Sequence, residues 1–215
     1  MVICDSETYI NEIIPHTCKL KFDFFGHEGA ILHSRDIRRA QNEFGFLTDP
    51  GMRPPFYERL NGIMSSNDYQ LIAAFIRKQR HKDRYGDWAN HPYDMALTFA
   101  LERLLPLLEE AGQRSIKIIA ESRGTNEDDD LHYSFLKVVN GGIDYIRSDR
   151  FNKIHFDLEF RPKKSNLIGH QLADLAVYPI VRYVIDETKE NAPFDIVRRK
   201  FYKGPGNVRG LKIFP

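Results

Sequence analysis

The stretch Pro92-Tyr93-Asp94-Met95-Ala96-Leu97-Thr98-Phe99-Ala100-Leu101-Glu102-Arg103-Leu104-Leu105-Pro106-Leu107-Leu108-Glu109-Glu110 is followed, past Gly112, by Ser115-Ile116-Lys117-Ile118-Ile119-Ala120-Glu121. Met95, Phe99, Leu101, Leu104, Leu105 and Leu108 form one apolar face at helical spacing, which predicts a helix over 92–110. Gly112 ends it, and 115–120 reads as a strand closing on Glu121. Further on, a helix over 127–139 stops at Gly141-Gly142, and 154–160 alternates apolar with polar residues as a half-buried strand does. A last helix covers 168–187. Helix–strand–helix–strand–helix is an α/β signature.

The N-terminal half is less regular. Residues 1–4 read as a short strand, and 8–25 as a helix that Pro15 kinks or breaks and Gly26 closes. Residues 30–33 are extended, with Ser34 as the cap of a brief basic turn over 36–39. Asp49-Pro50-Gly51 is a turn. Pro54 and Pro55 open a helix over 56–65, and 69–76 is a buried strand. The polar stretch 77–84 runs over the surface. With no repeat or linker, one domain over 1–215 is expected.

Composition narrows the function classes. The 215 residues are 42% hydrophobic and 28% charged, enough apolar material for a core and too much for a disordered chain. No apolar run reaches the roughly 18 residues of a membrane span. The opening Met1-Val2-Ile3-Cys4-Asp5 lacks a basic leader, so no signal peptide is expected. Two cysteines, Cys4 and Cys18, exclude a disulfide scaffold and fit a reducing, cytoplasmic setting. Net charge is +1, so any nucleic-acid preference must come from local patches. Such patches are Arg35/Arg38/Arg39, residues 78–84, Arg161-Pro162-Lys163-Lys164, and the tail 194–215, where six Lys/Arg face one Asp. Each could equally be a solvated face.

Four acidic features could carry chemistry. Asp174 lies in the apolar run Gln171-Leu172-Ala173-Asp174-Leu175-Ala176, and a carboxylate there needs a partner or a metal. His170, Asp174, Tyr178 and Arg182 recur every four residues, so the competing reading is a solvated stripe in which Asp174 bridges to Arg182 or His170. Glu121 ends a strand, where open α/β sheets place ligands; otherwise it pairs with Arg123. The run Asn126-Glu127-Asp128-Asp129-Asp130 resembles a metal cluster but suits a first helical turn, with Thr125 and Asp128 as a capping-box-like pair. Glu102, followed by Arg103, reads by itself as a solvated helix residue. No zinc spacing, phosphate loop or nucleophile elbow is present.

Several stretches together resemble the domain-of-unknown-function 3800 family, whose fold is similar to ribonuclease H. They are Phe25-Gly26-His27-Glu28 through Ile31-Leu32-His33-Ser34-Arg35-Asp36-Ile37-Arg38, then Lys78, Pro92-Tyr93, Ala96-Leu97, Leu101-Glu102-Arg103-Leu104, and Glu121-Ser122-Arg123-Gly124 with Asp128 and Leu131. Lys163-Lys164-Ser165-Asn166, Gln171-Leu172-Ala173-Asp174-Leu175 and Gly210-Leu211-Lys212-Ile213-Phe214-Pro215 complete the set. The resemblance implies an RNase H-like mixed sheet flanked by helices. It places a helical insertion in the N-terminal part (1–90), the helix–strand core over 91–190, and a basic tail over 191–215. It also implies a nuclease site in which Glu121, Asp174 and Glu102 hold Mg²⁺ or Mn²⁺ while water attacks a phosphodiester. Lys163, Lys164, Lys78, Arg123 and His33 would then contact nucleic-acid phosphates. Family members carry Asp-Glu-Ser on an N-terminal strand. Here residues 1–4 match the end of the family's second strand instead, so the first strand and its Asp are expected to be missing. That leaves two functional expectations: a metal-dependent nuclease, or a non-catalytic module that binds nucleic acid or protein. A hydrolase acting on another phosphoester is a third.

Overall fold

A computed structural model describes residues 1–88, 90–206 and 208–215. The strands are β1 (Val2–Ile3), β2 (Gln70–Leu71), β3 (Ala73–Ile76), β4 (Ser115–Glu121), β5 (His155–Arg161) and β6 (Leu211–Phe214). The helices are α1 (Ser6–Thr8), α2 (Ile14–Phe25), α3 (Ser34–Arg39), α4 (Arg53–Ser66), α5 (Lys78–Tyr85), α6 (Pro92–Glu110), α7 (Thr125–Gly141), α8 (Ser148–Phe151), α9 (Ile168–Ile185) and α10 (Ala192–Val197). The class is mixed α/β, with small parallel sheets flanked by helices. Contacts divide the chain into two compact units. One comprises Val2–Gln70 with Asn166–Lys200; the other comprises Leu71–Ser165 with Phe201–Pro215 and Met1.

In the second, strand-bearing unit, α6 has the bounds its periodicity predicts, burying Leu101, Leu104, Leu105 and Leu108. Successive parallel strands need a crossover, and α7 supplies it between β4 and β5, which pair in parallel from Ser115↔His155 to Glu121↔Arg161. Phe135 of α7 and Phe151 of α8 pack on Phe156 of β5 with ring centroids 6.3 and 5.9 Å apart. Gly142 ends α7 at φ 80°, and a Cβ there would lie 2.5 Å from the Ile146 carbonyl, so only glycine fits. The C-terminal stretch is more than a basic tail. Its last residues form β6, which pairs in parallel with β3 from Ala73↔Leu211 to Ile76↔Phe214.

Three local expectations are corrected. The run 69–76 is interrupted at Ile72, where the chain passes from β2 to β3, and all four residues of β3 are half-buried. Pro15 does not break the first helix. Residues Tyr9–Ile13 widen into a π-helical turn, with Ile14 N–H donating to the Tyr9 carbonyl, so helical backbone continues through the proline. Ser34 is the first residue of α3 rather than its cap; extended His33 holds the cap position.

The mainly helical unit is organised by a polar network. The Lys21 side chain is 1% exposed, and its Nζ donates to Asn166 Oδ1 at 2.9 Å. Gln171 Nε2 donates to the same oxygen at 2.8 Å, and Gln171 Oε1 accepts the Leu32 N–H at 2.9 Å. Asn166 Nδ2 donates to the Glu28 and Gly29 carbonyls. Asn166 sits at φ 53°, a left-handed conformation that asparagine tolerates better than alanine. One side chain therefore satisfies α2, the 26–33 segment and α9 together, as buried polar groups require.

Asn166→Ala strands the Lys21 ammonium and leaves the Gln171 amide only the Asn166 backbone carbonyl, so a loss of about 2–3 kcal/mol in urea denaturation is expected. Lys21→Met leaves Asn166 Oδ1 bonded to Gln171 and should cost less than about 1 kcal/mol. Burial lowers the Lys21 pKa, so the unfolded chain holds that proton more tightly. Stability from this site should therefore rise with pH between the lowered folded value and the usual lysine value near ~10.4. Lys21→Met should remove that rise.

Candidate nucleic-acid interface

Helix α5 is built from Lys78-Gln79-Arg80-His81-Lys82-Asp83-Arg84-Tyr85. Lys78, Arg80, Lys82 and Arg84 are all exposed, and His81 is the helix's buried residue. The His81 ring lies 5.7 Å from Phe214 of β6, and Tyr85 stacks on Phe214 at 6.2 Å with planes 10° apart. Arg77 N–H donates to the Phe214 carbonyl at 2.8 Å, joining the start of α5 to the end of β6. His81 Nε2 lies 3.1 Å from the Asn90 carbonyl, which holds the chain leading into α6. The exposed Lys and Arg side chains of α5 are thus carried by a helix that His81 and Tyr85 fix against Phe214.

Tyr93, in the first turn of α6, is 54% exposed. Lys78 Nζ lies 5.2 Å from its ring centroid, and the Arg123 guanidinium carbon lies 5.8 Å from it. Both distances are within cation–π reach. The His91 ring stands 5.5 Å away. Arg123 is placed by the turn after β4, where Asp128 accepts the Arg123 N–H at 2.9 Å and the Ser122 hydroxyl. This corrects the expected Thr125–Asp128 pair: Gly124, at φ 123°, is the cap, and Asp128 folds back over 122–123 instead. Ser122 N–H donates to the Arg161 carbonyl at 3.0 Å, so the ends of β4 and β5 are adjacent. Lys163 and Lys164 follow on an exposed 3₁₀ turn, Lys163–Ser165. Four of the five expected phosphate contacts therefore belong to one unit, and Lys78 and Arg123 meet on a tyrosine.

The fifth, His33, lies in the helical unit with Nδ1 3.1 Å from Asp36 Oδ2. Asp174 is in the same unit. Its Oδ2 accepts the Ser34 N–H at 2.8 Å, satisfying an orphan amide at the start of α3. Its neighbours on the polar stripe have other partners: Arg38 lies 3.5 Å over the Tyr178 ring, and Arg182 donates to the Glu190 carbonyl. Asp174 thus holds a backbone amide, and Arg182 turns to a backbone carbonyl.

Glu102 and Glu121 lie in the strand-bearing unit. Glu102 is half-buried rather than solvated, taking hydrogen bonds from Tyr145 Oη at 3.1 Å and Arg103 Nη1 at 3.2 Å. Burial and the Glu102 carboxylate raise the Tyr145 pKa. Glu121 sits on the exposed row Ser115, Lys117, Ile119, Glu121 of β4, opposite Arg161 in register. On the same face, Glu159 bridges Lys117 and Arg161. Among the described residues, no three His, Cys, Asp or Glu side chains form a group that could hold a metal ion. No helix among them is long and apolar enough to cross a membrane, and Cys4 and Cys18 are free thiols.

Sequence reasoning assigned no role to Tyr93, quoted only within the resemblance, and left out Tyr85 and Trp88, the last 90% exposed. A signal was available in their position: three large aromatics follow directly on the Lys- and Arg-dense stretch 77–84. No protein-family model, curated protein or solved structure matches the chain.

If Asp174 acts as an amide acceptor, Asp174→Ala should lower stability by about 1–2 kcal/mol. Asp174→Asn, which keeps an acceptor oxygen, should stay within about 0.5 kcal/mol of the parent in the same denaturant titration. Equal losses in the two variants would contradict this role.

Proposed function

We propose that the strand-bearing unit binds single-stranded nucleic acid at the face formed by Lys78, Tyr93 and Arg123. The observation that carries the reading is the convergence of two cations on one exposed ring. A solvent-exposed ring can stack on an unpaired base, and flanking cations neutralise its phosphates. A duplex hides its base faces, so single strands are the preferred form. Arg80, Lys82 and Arg84 extend the positive surface along α5, and Lys163 and Lys164 extend it at the adjacent end of β5.

A second reading is RNase H-like phosphodiester cleavage with Mg²⁺ or Mn²⁺. It draws on the element order over 92–185 and on Glu121, whose carboxylate ends β4 two residues before Arg123. Incubation of labelled RNA, DNA and hybrid duplex with Mn²⁺ tests it. Product formation lost in both Glu121→Gln and Asp174→Asn supports cleavage; intact substrate, or cleavage that persists in both variants, removes it.

For the binding reading, fluorescence anisotropy with a labelled oligothymidylate is the direct assay. Tyr93→Ala should lose about 1–3 kcal/mol, roughly a 5- to 150-fold rise in Kd. Lys78→Ala should weaken binding to all sequences alike and reduce the log–log salt slope by about 0.7. Unchanged affinity in Tyr93→Ala, or no binding at low salt, would overturn the proposal.

A further inference from the structure

At the opposite ends of β4 and β5, where both strands begin, an open groove of about 480 Å³ runs between α7 and the α8–β5 junction. That volume is within the usual range for small-molecule sites. Its floor is aromatic: Phe135 and Phe151 are buried, and half-buried Phe156 packs edge-on to Phe135. Its rim is basic. Arg114 and His155 are neighbours because His155 N–H donates to the Arg114 carbonyl at 2.8 Å, and Lys153 lies just before Ile154 and His155 in the chain. No Asp or Glu lines the groove among the described residues.

The pairing pattern nearby sets these three residues apart. Arg150 is held by Glu109 through two hydrogen bonds, and Arg147 lies 3.6 Å from Asp149. Among the described residues, the side chains of Arg114, Lys153 and His155 have no ion-pair or hydrogen-bond partner. Arg114 and Lys153 carry positive charge without a counter-charge, and an anion between them supplies it, with the His155 ring as a further polar contact. An apolar floor below them favours an anion carried on a planar ring, which can pack against phenyl groups while its charge meets the rim.

We infer that this groove is a binding site for a small aromatic anion, with a ring seated between half-buried Phe156 and exposed Leu136 and a phosphate or carboxylate held by Arg114, Lys153 and His155. The inference is independent of the nucleic-acid face, which lies at the other ends of the same strands.

Titration of ¹⁵N-labelled protein with 2-naphthyl phosphate tests it. Saturable shifts should appear at the Arg114, Lys153 and His155 amides, and 2-naphthol and inorganic phosphate should each bind at least tenfold more weakly. The Arg114→Gln/Lys153→Gln variant should lose at least tenfold for the phosphate ester and nothing for 2-naphthol, while oligothymidylate affinity stays unchanged. Absence of saturable shifts in the groove overturns the inference. So does naphthol binding as tightly as its phosphate, or an unchanged double variant.

Discussion

Four ladder pairs between β3 and β6 bring Phe214 against three rings, those of His81, Tyr85 and Phe99, with centroids 5.3–6.2 Å away. The proposed binding face depends on that contact. A helix as polar as α5 has little apolar surface with which to dock, and eight residues are too few for stability on their own. Its position therefore follows from His81 and Tyr85 packing on a strand more than a hundred residues away in sequence. The same strand helps fix α6: Lys212 Nζ lies 5.3 Å over the Phe99 ring, and the Arg103 side chain donates to the Arg209 carbonyl. With α5 and α6 both referred to β6, Lys78 and Tyr93 come within reach of each other.

The acidic residues follow a different logic. Each carboxylate suggested for a metal site is engaged in, or placed beside, an ordinary structural partner. Asp174 caps the first amide of α3, Glu102 accepts from Tyr145 and Arg103, and Glu121 lies across from Arg161 on a solvated charged row. A carboxylate on an apolar helix must be satisfied, and a backbone N–H meets that demand as well as a cation does. Asp174 belongs with Gln171 and Asn166 in this respect: together they supply acceptors and donors to a segment, 26–34, that has no strand partner of its own.

Much of the fold was legible where local signals and tertiary demands agree. The apolar face of α6, the alternation in β5 and the glycine after α7 all appear at the expected positions. Legibility failed where a partner distant in sequence decides the outcome. Residues 73–76 form a strand separate from β2 because they pair with 211–214, and the π-helical turn over Tyr9–Ile13 is an accommodation of Pro15 that periodicity does not encode. At the proposed site, Lys78 and Arg123 entered the sequence reading only as the phosphate contacts that the resemblance implies. Their meeting point on Tyr93 was not legible, because 78, 93 and 123 are united only by the packing of α5 and the turn after β4.

The most direct test is an NMR footprint of oligothymidylate on the intact chain at low salt. The account predicts that the largest amide shifts fall at Lys78, Tyr93 and Arg123, with further shifts at Lys163 and Lys164, and that Tyr93→Ala weakens all of them together. Shifts centred elsewhere, or none at all, would contradict it.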